Sequence, residues 1–121
     1  MFACGASVAP VVRWDLYDTL YTERYMSTPA DNAEAYNASS PLYRLDRLKA
    51  KKYLVMHGTH DDNVHYQQSM MLAAALEEKD ILFRQQAYPD EDHGISDYRR
   101  HLYHTLTQFL VEDCFKKGLK V

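Results

Sequence analysis

Two short stretches of the sequence hold the side chains best suited to chemistry. The first is Tyr53-Leu54-Val55-Met56-His57-Gly58-Thr59-His60-Asp61-Asp62-Asn63-Val64-His65, and the second is Tyr88-Pro89-Asp90-Glu91-Asp92-His93-Gly94. Each is an apolar run that stops in a loop crowded with Asp and His, and loops at strand ends are where α/β enzymes place their chemistry. An ionised Asp that accepts the Nδ1 proton of a His fixes the ring's tautomer and stabilises the imidazolium. The His can then take a proton from a hydroxyl and return it to a leaving amine. An Asp loop followed by a His loop is the order in which Ser…Asp…His hydrolases place their last two triad members. No Gly-x-Ser-x-Gly precedes these loops, so the pattern reads as two thirds of a triad on a chain that begins after its nucleophile.

Two other readings compete for the same residues. Acidic loops can be simple solvated turns, and a His beside a Gly can be only a turn residue. Alternatively, His57, His60, Asp61, Asp62 and His65, joined by Asp90, Asp92 and His93, offer imidazole and carboxylate to a metal such as Zn or Mn, as in a metal-binding hydrolase. Against that, no His-Glu-x-x-His helix is present and the cluster straddles a Gly-centred turn that scatters its side chains.

The elements that must position these loops alternate in period. Residues 5–12, small and β-branched, read as a buried strand that Pro10 ends or holds at an edge. A helix is expected next, with Trp14, Tyr17 and Tyr21 on one face, by default core packing but also a way to build a ring-accepting pocket. Residues 27–40 read as an irregular surface connection. A short helix follows, capped by Ser40 with Pro41 at its first position and Leu42, Leu45 and Leu48 along it. The second strand covers residues 53–56 and is ended by Gly58. Asn63 is a suitable cap for a helix over residues 64–79 that buries Met71, Leu72, Ala75 and Leu76. The third strand covers residues 81–88, its polar centre (Arg84, Gln85, Gln86) suiting an edge. A last helix spans residues 96–115, with Tyr98, Leu102, Leu106, Phe109 and Leu110 on one stripe. The order β-α-α-β-α-β-α predicts an α/β fold of about three parallel strands, right-handed crossovers and flanking helices, with the first strand at an exposed edge.

Composition narrows the function classes. The 121 residues suffice for one domain, and a formal net charge of -3 with no Lys/Arg run among aromatics gives no reason to expect nucleic acid. No apolar run reaches eighteen residues, and the first residues lack the basic start of a signal peptide. Cys4 and Cys114 are either two unrelated thiols or the ends of one long closed loop. Asn37-Ala38-Ser39 is a glycosylation sequon which, with paired cysteines, would fit an oxidising, secretory setting.

Several stretches together resemble a known family. Val8-Ala9-Pro10-Val11, Arg13-Trp14, Tyr17-Asp18, Tyr21-Thr22-Glu23-Arg24-Tyr25-Met26, His57-Gly58-Thr59, Asp61-Asp62-Asn63-Val64-His65, Gln67-Gln68-Ser69 and Asp90-Glu91-Asp92-His93-Gly94 are similar to the dipeptidyl peptidase IV branch of the prolyl oligopeptidase family, which includes fibroblast activation protein. The likeness runs over residues 2–115. It implies the C-terminal part of an α/β-hydrolase catalytic domain over residues 1–121, completed by an upstream part of that domain and a β-propeller. It implies a serine exopeptidase that releases N-terminal dipeptides with Pro or Ala in second place, without a cofactor. Asp61 becomes the triad acid and His93 the triad base. Val11, Trp14, Tyr17, Tyr21 and Val64 line the proline pocket, Asn63 binds the substrate carbonyl, and His57 and Gly58 are scaffold. Cys4 and Cys114 match a disulfide and Asn37 a glycosylation site. Members of this kind are dimeric, cell-surface (type II membrane) or secreted glycoproteins.

The chain departs from the pattern where the nucleophile, the oxyanion-hole Tyr and the propeller carboxylates are missing, so these 121 residues alone are expected to be inactive. His60 replaces a small residue, and residues 95–100 differ. The alternative within the family is a non-catalytic relative that acts as a binding subunit. The retained Asp61, His93 and aromatic pocket favour an active parent.

Overall fold

The computed structural model describes residues 2–115. Three strands, β1 (Cys4–Val8), β2 (Lys52–Gly58) and β3 (Arg84–Tyr88), form a parallel sheet in the order β1-β2-β3. The helices among the described residues are α1 (Thr19–Met26), α2 (Ala33–Ser39), α3 (Gln67–Glu78) and α4 (Arg99–Phe109). Two 3-10 segments, Trp14–Leu16 and Pro41–Leu48, and a π turn, Leu110–Cys114, complete the set. This is the α/β arrangement that the alternation of patterns predicts.

The central strand explains how the layers hold together. From Leu54 to Gly58 every residue of β2 is buried, as befits a strand covered on both faces. Side chains alternate between the faces of a strand. Val55 therefore packs with Val12, Leu45, Leu72, Leu76 and Ile81, on the side of α3 and the second 3-10 segment. Leu54 and Met56 face the opposite way and meet Tyr88, Ile95, Leu102 and Phe109, on the side of α4. Each such side chain contributes about 1.5–3 kcal/mol by leaving water. The same alternation puts His57 on the α3 face, where an apolar residue would be the easy choice.

Cys4 and Cys114 are bonded, with Cα atoms 5.5 Å apart and a separation of 110 positions in sequence. The bridge ties the first strand to the π turn that ends α4. A loop of that order is stabilised by about 4.7 kcal/mol in the chain-entropy model.

Several boundaries differ from expectation, each for a local reason. The first strand stops at Val8 because Ala9 takes φ 47°, a left-handed turn ahead of Pro10. The single helix expected from Trp14 is broken: the carboxylate of Asp18 accepts the Tyr21 N–H at 3.3 Å and starts α1 afresh. The connection over residues 27–40 contains α2, anchored by buried Tyr36, whose hydroxyl donates to Ser27 O at 2.7 Å. The segment after Pro41 is 3-10, with Ser40 as its cap. β2 is longer than expected and β3 shorter, beginning at Arg84. Asn63 is not a helix cap: α3 starts at Gln67, and Asp61 holds the turn before it. The last helix starts at Arg99, and Tyr98 stays exposed rather than joining its buried stripe.

Candidate active site

Register brings the two acidic loops together. Gly58, the last residue of β2, is the partner of Tyr88, the last of β3, so both loops leave the sheet at the same level. They are then stitched: Thr59 N–H donates to Tyr88 O at 2.9 Å, His60 N–H to Glu91 O at 3.0 Å and Asp90 N–H to Thr59 Oγ1 at 2.9 Å. Gly58 permits this approach. A Cβ at that position would run into Glu91 O and lie 2.6 Å from Asp92 O.

The loop after β3 presents His93 on a tight turn. Ile95 N–H donates to Asp92 O at 3.3 Å, and Gly94 N–H to Asp92 Oδ1 at 2.8 Å. Ile95 sits at φ 47°, an unusual conformation for a β-branched residue, and its side chain is buried in the α4-side core. Glu91, also buried, accepts the Asp97 N–H at 3.3 Å. The turn is therefore anchored on both sides of the histidine.

At the rim, His93 Nδ1 lies 2.8 Å from Asp61 Oδ2. The other carboxylate oxygen, Oδ1, accepts the backbone N–H groups of Asn63 and Val64, both at 2.9 Å. The Asp61 side chain has no exposed surface, whereas 47% of the His93 side chain is exposed. Burial alone would push the Asp61 carboxyl up. The hydrogen bond from His93, those from the Asn63 and Val64 amides and the attraction to His93 together hold it below the ordinary carboxylate range. The arrangement can keep His93 in the Nδ1–H tautomer with Nε2 free to take a proton from a neighbouring hydroxyl. Asp62 is exposed and makes no hydrogen bond or ion pair with His93.

Further side chains support this pair: His57, read from the sequence as a candidate metal ligand or as scaffold, and Gln68 and Ser69, to which the sequence reading gave no role. Buried His57 places Nε2 at 2.7 Å from Val64 O and 3.1 Å from Asp61 Oδ2, and Nδ1 at 2.7 Å from the Ser69 hydroxyl. Gln68, buried beside Ser69, accepts the Val12 and Arg13 N–H groups at 2.9 Å each and donates to Arg13 O at 2.8 Å. It pins the segment that carries Trp14 and Tyr17 to the start of α3. The signal for Gln68 and Ser69 was available: they fall on the same helical stripe as Leu72 and Leu76, and polar residues on an apolar stripe need partners.

The residues expected to bind substrate divide into three groups. Tyr17 donates its hydroxyl to Asn63 Oδ1 at 2.9 Å, and these two face a hollow of about 520 Å³ bounded also by Leu16, Asp18, Asp62 and His65. Trp14 and Tyr21 extend Tyr17 into an aromatic cluster, with ring centroids 5.6 Å (Trp14–Tyr17), 5.8 Å (Tyr17–Tyr21) and 6.4 Å (Trp14–Tyr21) apart. Val64 is buried beneath the turn rather than in this hollow, and Val11 lines a separate hollow with Val12, Ser40 and Leu45. Asn37 is exposed in the last turn of α2, near the Tyr43 hydroxyl at 3.4 Å. Among the described residues no group of three His, Cys, Asp or Glu side chains is placed to hold a metal ion.

Comparison with known proteins is consistent across sequence and structure. The family model described as "Prolyl oligopeptidase family" matches residues 1–117. The chain is 52% identical over 111 residues to a venom dipeptidyl peptidase 4 of Apis mellifera, covering 90% of this chain and 14% of that protein. It is 45% identical over 119 residues to dipeptidyl peptidase 4 of Bos taurus, covering 95% and 15%. The crystal structure of Porphyromonas gingivalis dipeptidyl peptidase 4 superposes with a TM-score of 0.86 at 40% identity, covering 93% of this chain and 16% of that one. The chain thus spans about one seventh of the length of these curated relatives.

Proposed function

The chain belongs to the prolyl oligopeptidase family, and from that premise we propose that the protein carrying it is a serine exopeptidase that releases Xaa-Pro or Xaa-Ala dipeptides from free N-termini. Residues 1–121 are the C-terminal part of its α/β-hydrolase domain. They supply Asp61 and His93, while the nucleophilic Ser comes from a Gly-x-Ser-x-Gly segment outside them. The observation that carries this reading is the buried Asp61 paired with a half-exposed His93 whose Nε2 is free.

The chemistry follows from that pair. As the Ser hydroxyl attacks the scissile carbonyl, His93 Nε2 takes its proton. Ionised Asp61 stabilises the imidazolium, which then protonates the leaving amine. Trp14, Tyr17 and Tyr21 form the wall for the substrate's proline ring, without Val11 and Val64, which lie outside this hollow, and Asn63 donates its amide to the substrate carbonyl. The Tyr17 bond to Asn63 Oδ1 supports that role, because it leaves the amide N–H groups to the substrate.

The parent is an extracellular or cell-surface homodimeric glycoprotein, secreted or anchored, with Asn37 glycosylated. Support for the setting comes from the Cys4–Cys114 bridge, the exposed sequon and the venom relative. No helix among the described residues is long and apolar enough to cross a membrane.

The deciding assay uses the full-length protein with Gly-Pro-p-nitroanilide, its N-acetylated analogue and a fluorophosphonate label. The expected result is hydrolysis of the free-amine substrate alone, with one serine outside this chain labelled. Failure to cleave any Xaa-Pro or Xaa-Ala substrate overturns the proposal.

A further inference from the structure

His57 is the one buried imidazole among the described residues that the proposed reaction does not use, and it lies against Asp61, the acid of the proposed pair. A backbone carbonyl can only accept, so the 2.7 Å contact with Val64 O requires a proton on Nε2. In the neutral ring Nδ1 is then the acceptor, and the Ser69 hydroxyl at 2.7 Å donates to it. Ser69 is fully buried on α3, so this donor comes from a fixed helix rather than from a loop.

The proton so directed closes the turn that carries the site. Val64 N–H donates to Asp61 Oδ1, Val64 O accepts from His57, and Asp61 Oδ2 lies 3.1 Å from the same His57 Nε2 and 2.8 Å from His93 Nδ1. The ring is 1% exposed and is held edge-on by Tyr66 at 5.4 Å, so it has little freedom to turn. We infer that His57, oriented by Ser69, is a positioning residue that aligns the Asp61 carboxylate with His93 and sets the Asn63–Val64 segment. The inference rests on Asp61 and His93 being the acid–base pair of the proposed function. A merely structural role would be filled by an apolar residue, as Val55 fills the preceding position on this face.

The test compares two amides in the full-length enzyme. The amide nitrogen of His57→Gln reaches the Nε2 position and keeps its donation, whereas that of His57→Asn stands near Nδ1 and falls short. The expected result is a loss of about tenfold to a hundredfold in kcat/KM for His57→Asn, the scale of a small misplacement. The acid limb of its pH profile should move to lower pH, because a misaligned Asp61 stabilises the His93 imidazolium less. His57→Gln should recover most of the activity. A folded His57→Asn enzyme with wild-type kcat/KM and pH profile overturns the inference, as does a folded His57→Gln enzyme equally impaired. Where His57→Asn does not fold, Ser69→Ala decides: a several-fold fall in kcat/KM supports the relay, and no change overturns it. Asp61→Asn is the control that separates the two levels. If it is inactive while the His57 variants are normal, only the inference fails; if it is active, the proposed function fails first.

Discussion

Asp61 Oδ2 and His93 Nδ1 meet at 2.8 Å although the Asp61 side chain is wholly buried and nearly half of the His93 side chain lies in solvent. That asymmetry separates the partners' tasks. The carboxylate is held by backbone amides away from competing water, and the imidazole keeps one nitrogen open to a reactant. Replacing Asp61 by Asn in the full-length protein removes the acceptor with little change of shape. The turnover number for a Xaa-Pro substrate should fall about ten-thousandfold with an unchanged circular dichroism spectrum; near-normal turnover would sink the triad assignment.

The same carboxylate links stability to pH. Its folded-state affinity for protons is lower than in the unfolded chain, because the His93 and amide hydrogen bonds outweigh burial. The stability it contributes is therefore fully present above the unfolded value of about 3.9 and is lost as the pH falls below that, through the folded value. Urea unfolding of wild type and Asp61→Asn should show a stability gap at pH 7 that narrows as the pH is lowered through this range. A gap independent of pH would contradict the linkage.

Gly58→Ala sets a new methyl against Glu91 O and Asp92 O, backbone atoms that cannot move aside cheaply. Overpacking of this kind costs about 1–3 kcal/mol. Because the clash separates the two loops, activity should fall further than the loss of stability explains. Denaturation midpoints and kcat measured on one preparation would check both, and a variant as stable and active as wild type would refute the close approach.

Tyr17→Phe removes the hydroxyl that holds Asn63 Oδ1 while keeping the aromatic cluster. One such hydrogen bond is worth about 0.5–1.5 kcal/mol. Steady-state kinetics with a Pro-containing substrate should show KM raised by about twofold to tenfold and kcat changed less. An unchanged KM would remove Tyr17 and Asn63 from substrate binding.

Much of the frame was legible because it rests on neighbouring residues. The run from Leu54 to Gly58, the turn at Pro89 to Gly94, and the stripe of Leu72 and Leu76 announce strand, loop and helix through periods of two and 3.6. Boundaries were less legible where a side chain overrode the pattern. Asp18 breaks an apparent helix by capping its own, and Asp61 rather than Asn63 ties the turn before α3. α2 was hidden by polar residues around one buried aromatic, Tyr36.

By itself, then, the sequence determined that two strands end in loops rich in Asp and His, and that aromatics crowd after the first strand. Its motifs also pointed to the family. Only the tertiary structure decided that Gly58 and Tyr88 are level, that Asp61, which the resemblance had singled out, reaches His93 at 2.8 Å, and that His57 and Ser69 stand behind Asp61. It alone showed that Gln68 fastens the aromatic segment beside Asn63, and that Val11 lies apart from it. The reason is one of range. Backbone periodicity is set by residues a few positions apart, whereas a contact between residues 32 or 56 apart depends on strand register and on which buried polar groups must find partners.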